Sequence, residues 1–162
     1  ALRRAWRILA PIQVVDDAVV GAKAVLAKLY RLRDDMIRAE AEYEDVIEFM
    51  ERAGDPASEA MMDPLLHLGA VYFRTGKYSL AEECWKRVVK IDSATWLTDM
   101  IRIEAFDAIG FLHGLARQYR ADGSSDRAAS LLRWLLDNMK YVPGTCAEVR
   151  TLIERDMSEL NG

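Results

Sequence analysis

One set of residue spacings occurs three times along this chain, and a sequence that repeats itself is confined to architectures built by stacking one unit. The clearest copy is centred on Gly69, which follows Leu68. Tyr72 lies at +3, Gly76 at +7, Ala81 at +12, Trp85 at +16 and Val88 at +19. Centred on Ala27, after Leu26, the same offsets hold Tyr30, Asp34, Ala39, Tyr43 and Val46. Centred on Ala116, after Leu115, they hold Tyr119, Gly123, Ala128, Leu132 and Leu135.

These offsets suit paired helices. Small residues at the centre and at +12 let two helices approach closely, and large residues at +3 and +16 fill the space around the contact, as ridges fill grooves. Gly76 and Gly123 stand where a first helix must end and turn, because glycine takes a left-handed backbone cheaply. The first copy carries Asp34 there, which predicts a less tight turn. The rest of the composition agrees. Good helix formers dominate, only 9 glycines and 4 prolines interrupt 162 residues, and strand-like alternation of β-branched residues is missing. The expectation is an all-α protein.

The pattern resembles the tetratricopeptide repeat (TPR), a helix–turn–helix unit that stacks into a right-handed solenoid. The resemblance covers about residues 20–142. Its centres lie 42 and 47 residues apart, longer than the roughly 34 of the standard repeat, and so resemble the extended repeats of kinesin light chains. The fold implied is a right-handed superhelix of about three hairpins, with an N-terminal helix and a C-terminal capping helix.

One domain then spans 1–162: an N-terminal helix in 1–13, repeats over 14–54, 55–92 and 93–142, and a cap over 143–162. The first helix covers about 2–10 and stops at Pro11. The first hairpin uses about 14–33 and 35–53. Asp55-Pro56 and Asp63-Pro64 each read as a helix start, so the helix over 57–75 kinks or restarts at the second pair. Its partner covers 77–91, opened by a Ser79/Glu82 capping box. Ser93 or Thr95 opens a long helix to about 121, and Ser124 or Ser125 the next, to about 140. After Pro143-Gly144, a Thr145/Glu148 box starts the cap. There Val149, Leu152, Ile153, Met157 and Leu160 face inward, and Glu148, Arg150, Glu154, Arg155 and Glu159 face solvent.

The resemblance implies that the first helix of each hairpin lines a ligand groove. Positions −6, −3, +1, +4 and +5 give Gly21, Ala24, Lys28, Arg31 and Leu32; Asp63, Leu66, Ala70, Phe73 and Arg74; and Gly110, His113, Arg117, Arg120 and Ala121. The candidate partner-binding residues are Lys28, Arg31, Leu66, Phe73, Arg74, His113, Arg117 and Arg120. Five cations against Asp63 alone, in a chain of net charge −4, point to an acidic protein or peptide segment. The lysine–asparagine clamp by which some TPR domains hold chaperone tails is not matched: its asparagine position holds Lys28, Ala70 and Arg117.

Chemistry is sparse. His67 has Asp63 four residues before it and His113 has no ligand type nearby, so neither makes a metal site. Cys84 reads as packing, and Cys146 at a helix start lacks a histidine partner. Glu40, Glu42, Glu44 and Asp45 read as a solvated run. No phosphate loop, dinucleotide glycine motif, zincin motif or nucleophile elbow occurs. No enzyme activity and no cofactor are expected. Trp85 holds a repeat position, whereas Trp6, Trp96 and Trp134 are candidate contact anchors. A pI near 5.3 disfavours nucleic acid, and no apolar run reaches the roughly 18 residues that span a bilayer. Two cysteines suit a reducing compartment. The cytoplasm is the default. An organelle matrix is the alternative, because residues 1–15 are arginine-bearing and acid-free. The function expected is a scaffold or adaptor; the alternative is a subunit lodged permanently in a larger complex.

Overall fold

The computed structural model describes residues 17–53, 58–94, 103–139 and 147–161. Amphipathic spacing produces seven α-helices among them: α1 (Asp17–Leu32), α2 (Met36–Ala53), α3 (Met62–Arg74), α4 (Tyr78–Ala94), α5 (Ile103–Ala121), α6 (Ser125–Asn138) and α7 (Ala147–Asn161). A short 3₁₀ turn over Glu59–Met61 precedes α3. Each helix packs on the next in order, which makes α1/α2, α3/α4 and α5/α6 three successive hairpins with α7 laid against α6.

The repeated offsets form the core. Ala27, Ala39, Gly69, Ala81, Ala116 and Ala128 are buried at the helix–helix contacts, and Tyr43, Trp85 and Leu132 are buried beside them. Gly69 has a specific reason to be glycine. A Cβ there would fall 2.7 Å from Cδ1 and 2.8 Å from Cε2 of Trp85, and the indole N–H donates to the Leu66 carbonyl at 3.1 Å.

All three hairpin turns are the same, contrary to the expectation for the first. Asp34, Gly76 and Gly123 share a left-handed backbone, with φ of 63°, 76° and 78°. The following amide donates five residues back each time, from Asp35 to Tyr30, Lys77 to Tyr72 and Ser124 to Tyr119 (2.9, 2.8 and 2.8 Å). This is the Schellman arrangement that satisfies the carbonyls at a helix end. Asp34 accommodates it because aspartate tolerates the left-handed region better than most residues.

Several expected helix ends move. Ser58, whose hydroxyl accepts from the Ala60 amide, caps the 3₁₀ turn. Asp63 caps nothing, because α3 begins at Met62 with Met61 in the cap position. Pro64 falls in the first turn, where its missing N–H has no partner to lose, so α3 continues without a break. α4 runs to Ala94 and so encloses Ser93; Ser79 also lies inside α4 and accepts from Arg127 at 3.0 Å. The expected features at 2–10, Asp55-Pro56, Trp96, Pro143-Gly144, Thr145 and Cys146 lie outside the described residues.

The acidic run on α2 is a set of clasps rather than a solvated face, because α2 is packed between α1 and α3. Lys23 on α1 reaches Glu42 at 3.2 Å and Asp45 at 2.8 Å. Lys77 reaches Glu40 at 2.6 Å, and the Tyr72 hydroxyl donates to Glu44 at 2.6 Å. The next hairpin repeats the last device: Tyr119 donates to Glu82 at 2.9 Å. Burial, reinforced by the carboxylate it faces, pushes the Tyr119 hydroxyl up to about 12, and Tyr72 is raised for the same reasons.

Candidate partner-binding groove

The first helices α1, α3 and α5 carry the eight candidate residues, and the structure treats them unequally. Leu66 is buried beneath Trp85 and offers no groove surface. Phe73 is half-buried, its ring 5.4 Å from Tyr78 and 6.0 Å from Trp85. Lys28, Arg74, Arg117 and Arg120 remain open to solvent, Arg74 with 51% and Arg117 with 69% of the side chain exposed, whereas Arg31 is half-buried.

At the seam between the first and second hairpins, Lys28 and Arg31 share the field of Asp63. The hydrogen bond from His67, 3.3 Å away, holds the Asp63 carboxyl below its ordinary range against partial burial, and the charges of Lys28 and Arg31 add to that. Arg31 also lies beside Tyr43, whose hydroxyl burial raises and the guanidinium lowers, burial prevailing. The Tyr43 hydroxyl and Arg31 Nε are both buried without a hydrogen-bond partner. Arg74 pairs with Asp34 of the first turn at 2.6 Å.

The second seam is aromatic. Phe111 of α5 stacks on Trp85 with ring centres 5.1 Å apart while 43% of the residue stays exposed, and Phe106 is 40% exposed. Gly110 and Gly114 have open space where a Cβ would stand. Phe111 sits at −5, one residue from the expected lining position at Gly110, and so falls outside the offsets that define the lining. An aromatic residue beside that position was the signal available.

The third seam is closed by α7. His113 meets Asp156 at 2.9 Å, Arg117 approaches the same carboxylate at 3.7 Å, and Arg120 pairs with Glu159 at 2.9 Å. His113 therefore has the carboxylate partner that its own helix lacks. On α7, Ile153 is buried and Val149, Met157 and Leu160 pack against the core as expected, whereas Leu152 is 40% exposed and Asp156 is buried. Glu159 and Arg155 are likewise engaged in ion pairs. Trp134 is half-buried against the core, with Lys86 Nζ 5.0 Å from its ring centre.

This geometry has known counterparts. The nearly identical TPR-like repeats assigned to a kinesin light chain of Podosopora anserina superpose with a TM-score of 0.63 at 18% identity, covering 98% of this chain and 74% of that one. A single-substitution variant of the same protein gives 0.63 at 19% identity, over 98% and 73%. The chain has the fold of a TPR-like repeat array. No protein-family model matches it, and no curated protein matches it in sequence. Within the array, no three His, Cys, Asp or Glu side chains among the described residues gather as metal ligands. No described helix is long and apolar enough to cross a membrane. Burial pushes the Cys84 thiol up to about 12, so it stays protonated and unreactive at neutral pH.

Proposed function

We propose that this TPR-like array is a non-catalytic scaffold that binds a segment of a partner protein along the face formed by α1, α3 and α5. Carboxylates of the partner engage Lys28, Arg74 and Arg117, and an apolar side chain rests on Phe73 and Phe111. The observation that carries this reading is Phe111, an aromatic ring left 43% exposed while stacked on the buried Trp85, on one of the helices that carry exposed cations. Large exposed aromatic rings of this kind anchor interfaces. The small cysteine count suits a reducing compartment, with the cytoplasm preferred and an organelle matrix the alternative.

Affinity purification of the tagged chain from its native cell, with native sizing and mass spectrometry, tests the reading. Each exposed charge contact returns up to about 1 kcal/mol because the cation already has a carboxylate beside it, and reversing two charges adds repulsion to that loss. Lys28→Glu with Arg74→Glu, and Phe111→Ala separately, lose the recovered partner while circular dichroism shows unchanged helicity. Unchanged recovery in both variants refutes the groove. A second reading, a subunit lodged permanently in a larger complex, is favoured by Ile37, 84% exposed outside the groove; it predicts one stoichiometric complex that survives high salt.

A further inference from the structure

Tyr43 and Arg31 bury polar atoms that the fold leaves unsatisfied. Tyr43 is 1% exposed and its hydroxyl has no hydrogen-bond partner; Arg31 Nε, buried beside it, has none either. Repeat geometry does not impose this. Trp85 holds the Tyr43 position in the second hairpin, and its indole N–H is met by the Leu66 carbonyl at 3.1 Å. In the third hairpin the position holds Leu132, which has no polar side-chain atom. Buried polar atoms are ordinarily paired, so two orphans side by side call for an explanation.

Their surroundings indicate the kind of group that would satisfy them. Arg31 Nε–H can only donate, and the Tyr43 hydroxyl has a proton to give. Lys28 and Arg31 stand one turn apart on α1, and Asp63, whose field they share, pairs at 3.3 Å with His67. Two cations therefore face one carboxylate that is already engaged, and the balance at the seam is positive. His67 bounds the place on the α3 side, its ring centre 6.0 Å from that of Tyr43. Lys28 is exposed and Arg31 half-buried, so the seam is reached from the α1 side. A group with two acceptor oxygens and a negative charge meets both donors and both cations.

We propose that the seam between the first and second hairpins is an oxyanion site, in which a carboxylate or phosphate group accepts from Arg31 Nε–H and the Tyr43 hydroxyl and lies against Lys28. The site rests on the groove reading only for its source, an acidic side chain of the partner segment. Arg31 and Tyr43, rather than the exposed Arg74 or Arg117, then hold the partner's acid most directly, because their buried donors have no acceptor to give up.

Inorganic phosphate and acetate are the probes, added to the full chain in place of chloride at constant ionic strength. At about ten times its dissociation constant, either anion raises Tm by roughly 3–6 °C and shifts the Arg31 Nε–H signal in a nitrogen–proton correlation spectrum. Tyr43→Phe keeps the ring and loses most of that rise. In chloride it melts no lower than the parent, because the hydroxyl it removes has no partner. No rise over chloride, a rise that Tyr43→Phe leaves intact, or a Tyr43→Phe chain that melts well below the parent in chloride overturns the proposal. Partner recovery that falls in Tyr43→Phe makes the partner's acid the occupant, and unchanged recovery makes it a free anion; both uphold the site. An anion effect with no partner recovered refutes the groove and keeps the site, and a recovered partner with no anion effect does the reverse.

Discussion

Adding one methyl group at Gly69 sets two effects of known size against each other. Alanine is favoured over glycine inside a helix by about 1 kcal/mol, so an unhindered Gly69→Ala would stabilise α3. At this position the new Cβ would sit 2.7 Å from Cδ1 and 2.8 Å from Cε2 of Trp85, with Nε1 nearer still. The indole is a rigid ring, 2% exposed and held between Phe73 and Phe111, so it cannot step aside alone. Overpacking of this kind costs about 1–3 kcal/mol. Moving the ring also breaks the bond to the Leu66 carbonyl, about 1 kcal/mol, and disturbs aromatic contacts of about 0.5–1.5 kcal/mol each. The steric side wins by roughly 2–3 kcal/mol, which at about 2–4 °C per kcal/mol lowers Tm by roughly 5–10 °C. Gly110→Ala and Gly114→Ala are the controls. Both lie inside α5 with open space ahead, so each raises Tm by about 2–4 °C. Melting followed by circular dichroism, with indole fluorescence reporting the displaced ring, distinguishes the cases. A Gly69→Ala chain that melts higher than the parent refutes the close packing of α3 on α4.

Asp34→Gly relieves a left-handed aspartate, a gain of about 1 kcal/mol, but removes an exposed ion pair with Arg74 of about 0–1 kcal/mol. Because salt screens only the pair, the Tm gain is larger in high salt than in low; a gain that shrinks with salt contradicts this account. Lys23→Met leaves Glu42 buried without its 3.2 Å partner and lowers the urea-unfolding free energy by about 3–5 kcal/mol. Adding Glu42→Gln recovers part of that loss, and no recovery would show that the pair is not what Lys23 supplies. The Tyr119 hydroxyl, raised to about 12 from its ordinary 10.0 by burial and Glu82, holds its proton more tightly folded than unfolded. Its contribution is complete below pH 10 and is lost as pH rises through 12, so Tyr119→Phe flattens the fall in Tm across that window. An unchanged alkaline fall would show that Tyr119 is not a source of it.

The fold was legible because each repeat position places a side chain against its own hairpin. Ala27 against Ala39, or Gly69 beneath Trp85, depends on residues closer than twenty apart, and helix geometry fixes their relation. The turns were legible except at Asp34, where the residue type suggests a looser turn but the same backbone hydrogen bonds form. Helix starts were less so. Asp63, Ser79 and Ser93 carry the residue types of caps, but a cap also needs a free amide two or three residues on, and packing decides where that amide lies. Asp63 is instead drawn to His67, which presses on Tyr43 of the preceding hairpin.

The exposure of the candidate cations was legible from the repeat offsets, and their charge environment was not. An offset from Ala27 or Ala116 states which way a side chain leaves its own helix, and Arg74, Arg117 and Lys28 are indeed exposed. What neutralises them comes from another hairpin or from α7: Asp34 for Arg74, Asp156 for Arg117, Glu159 for Arg120, and Asp63 near Lys28 and Arg31. These acids stand about forty residues or a whole helix away in sequence, and the unequal spacing of the repeats hides their alignment. An incoming carboxylate must therefore exchange for one that is already present, and exchange returns less free energy than a new pair would. In the proposed groove the charges would then select among partners and orient them, while the surface at Phe73 and Phe111, which exchanges only for water, would supply most of the affinity. That division implies partner binding which Phe111→Ala weakens more than Arg117→Gln does.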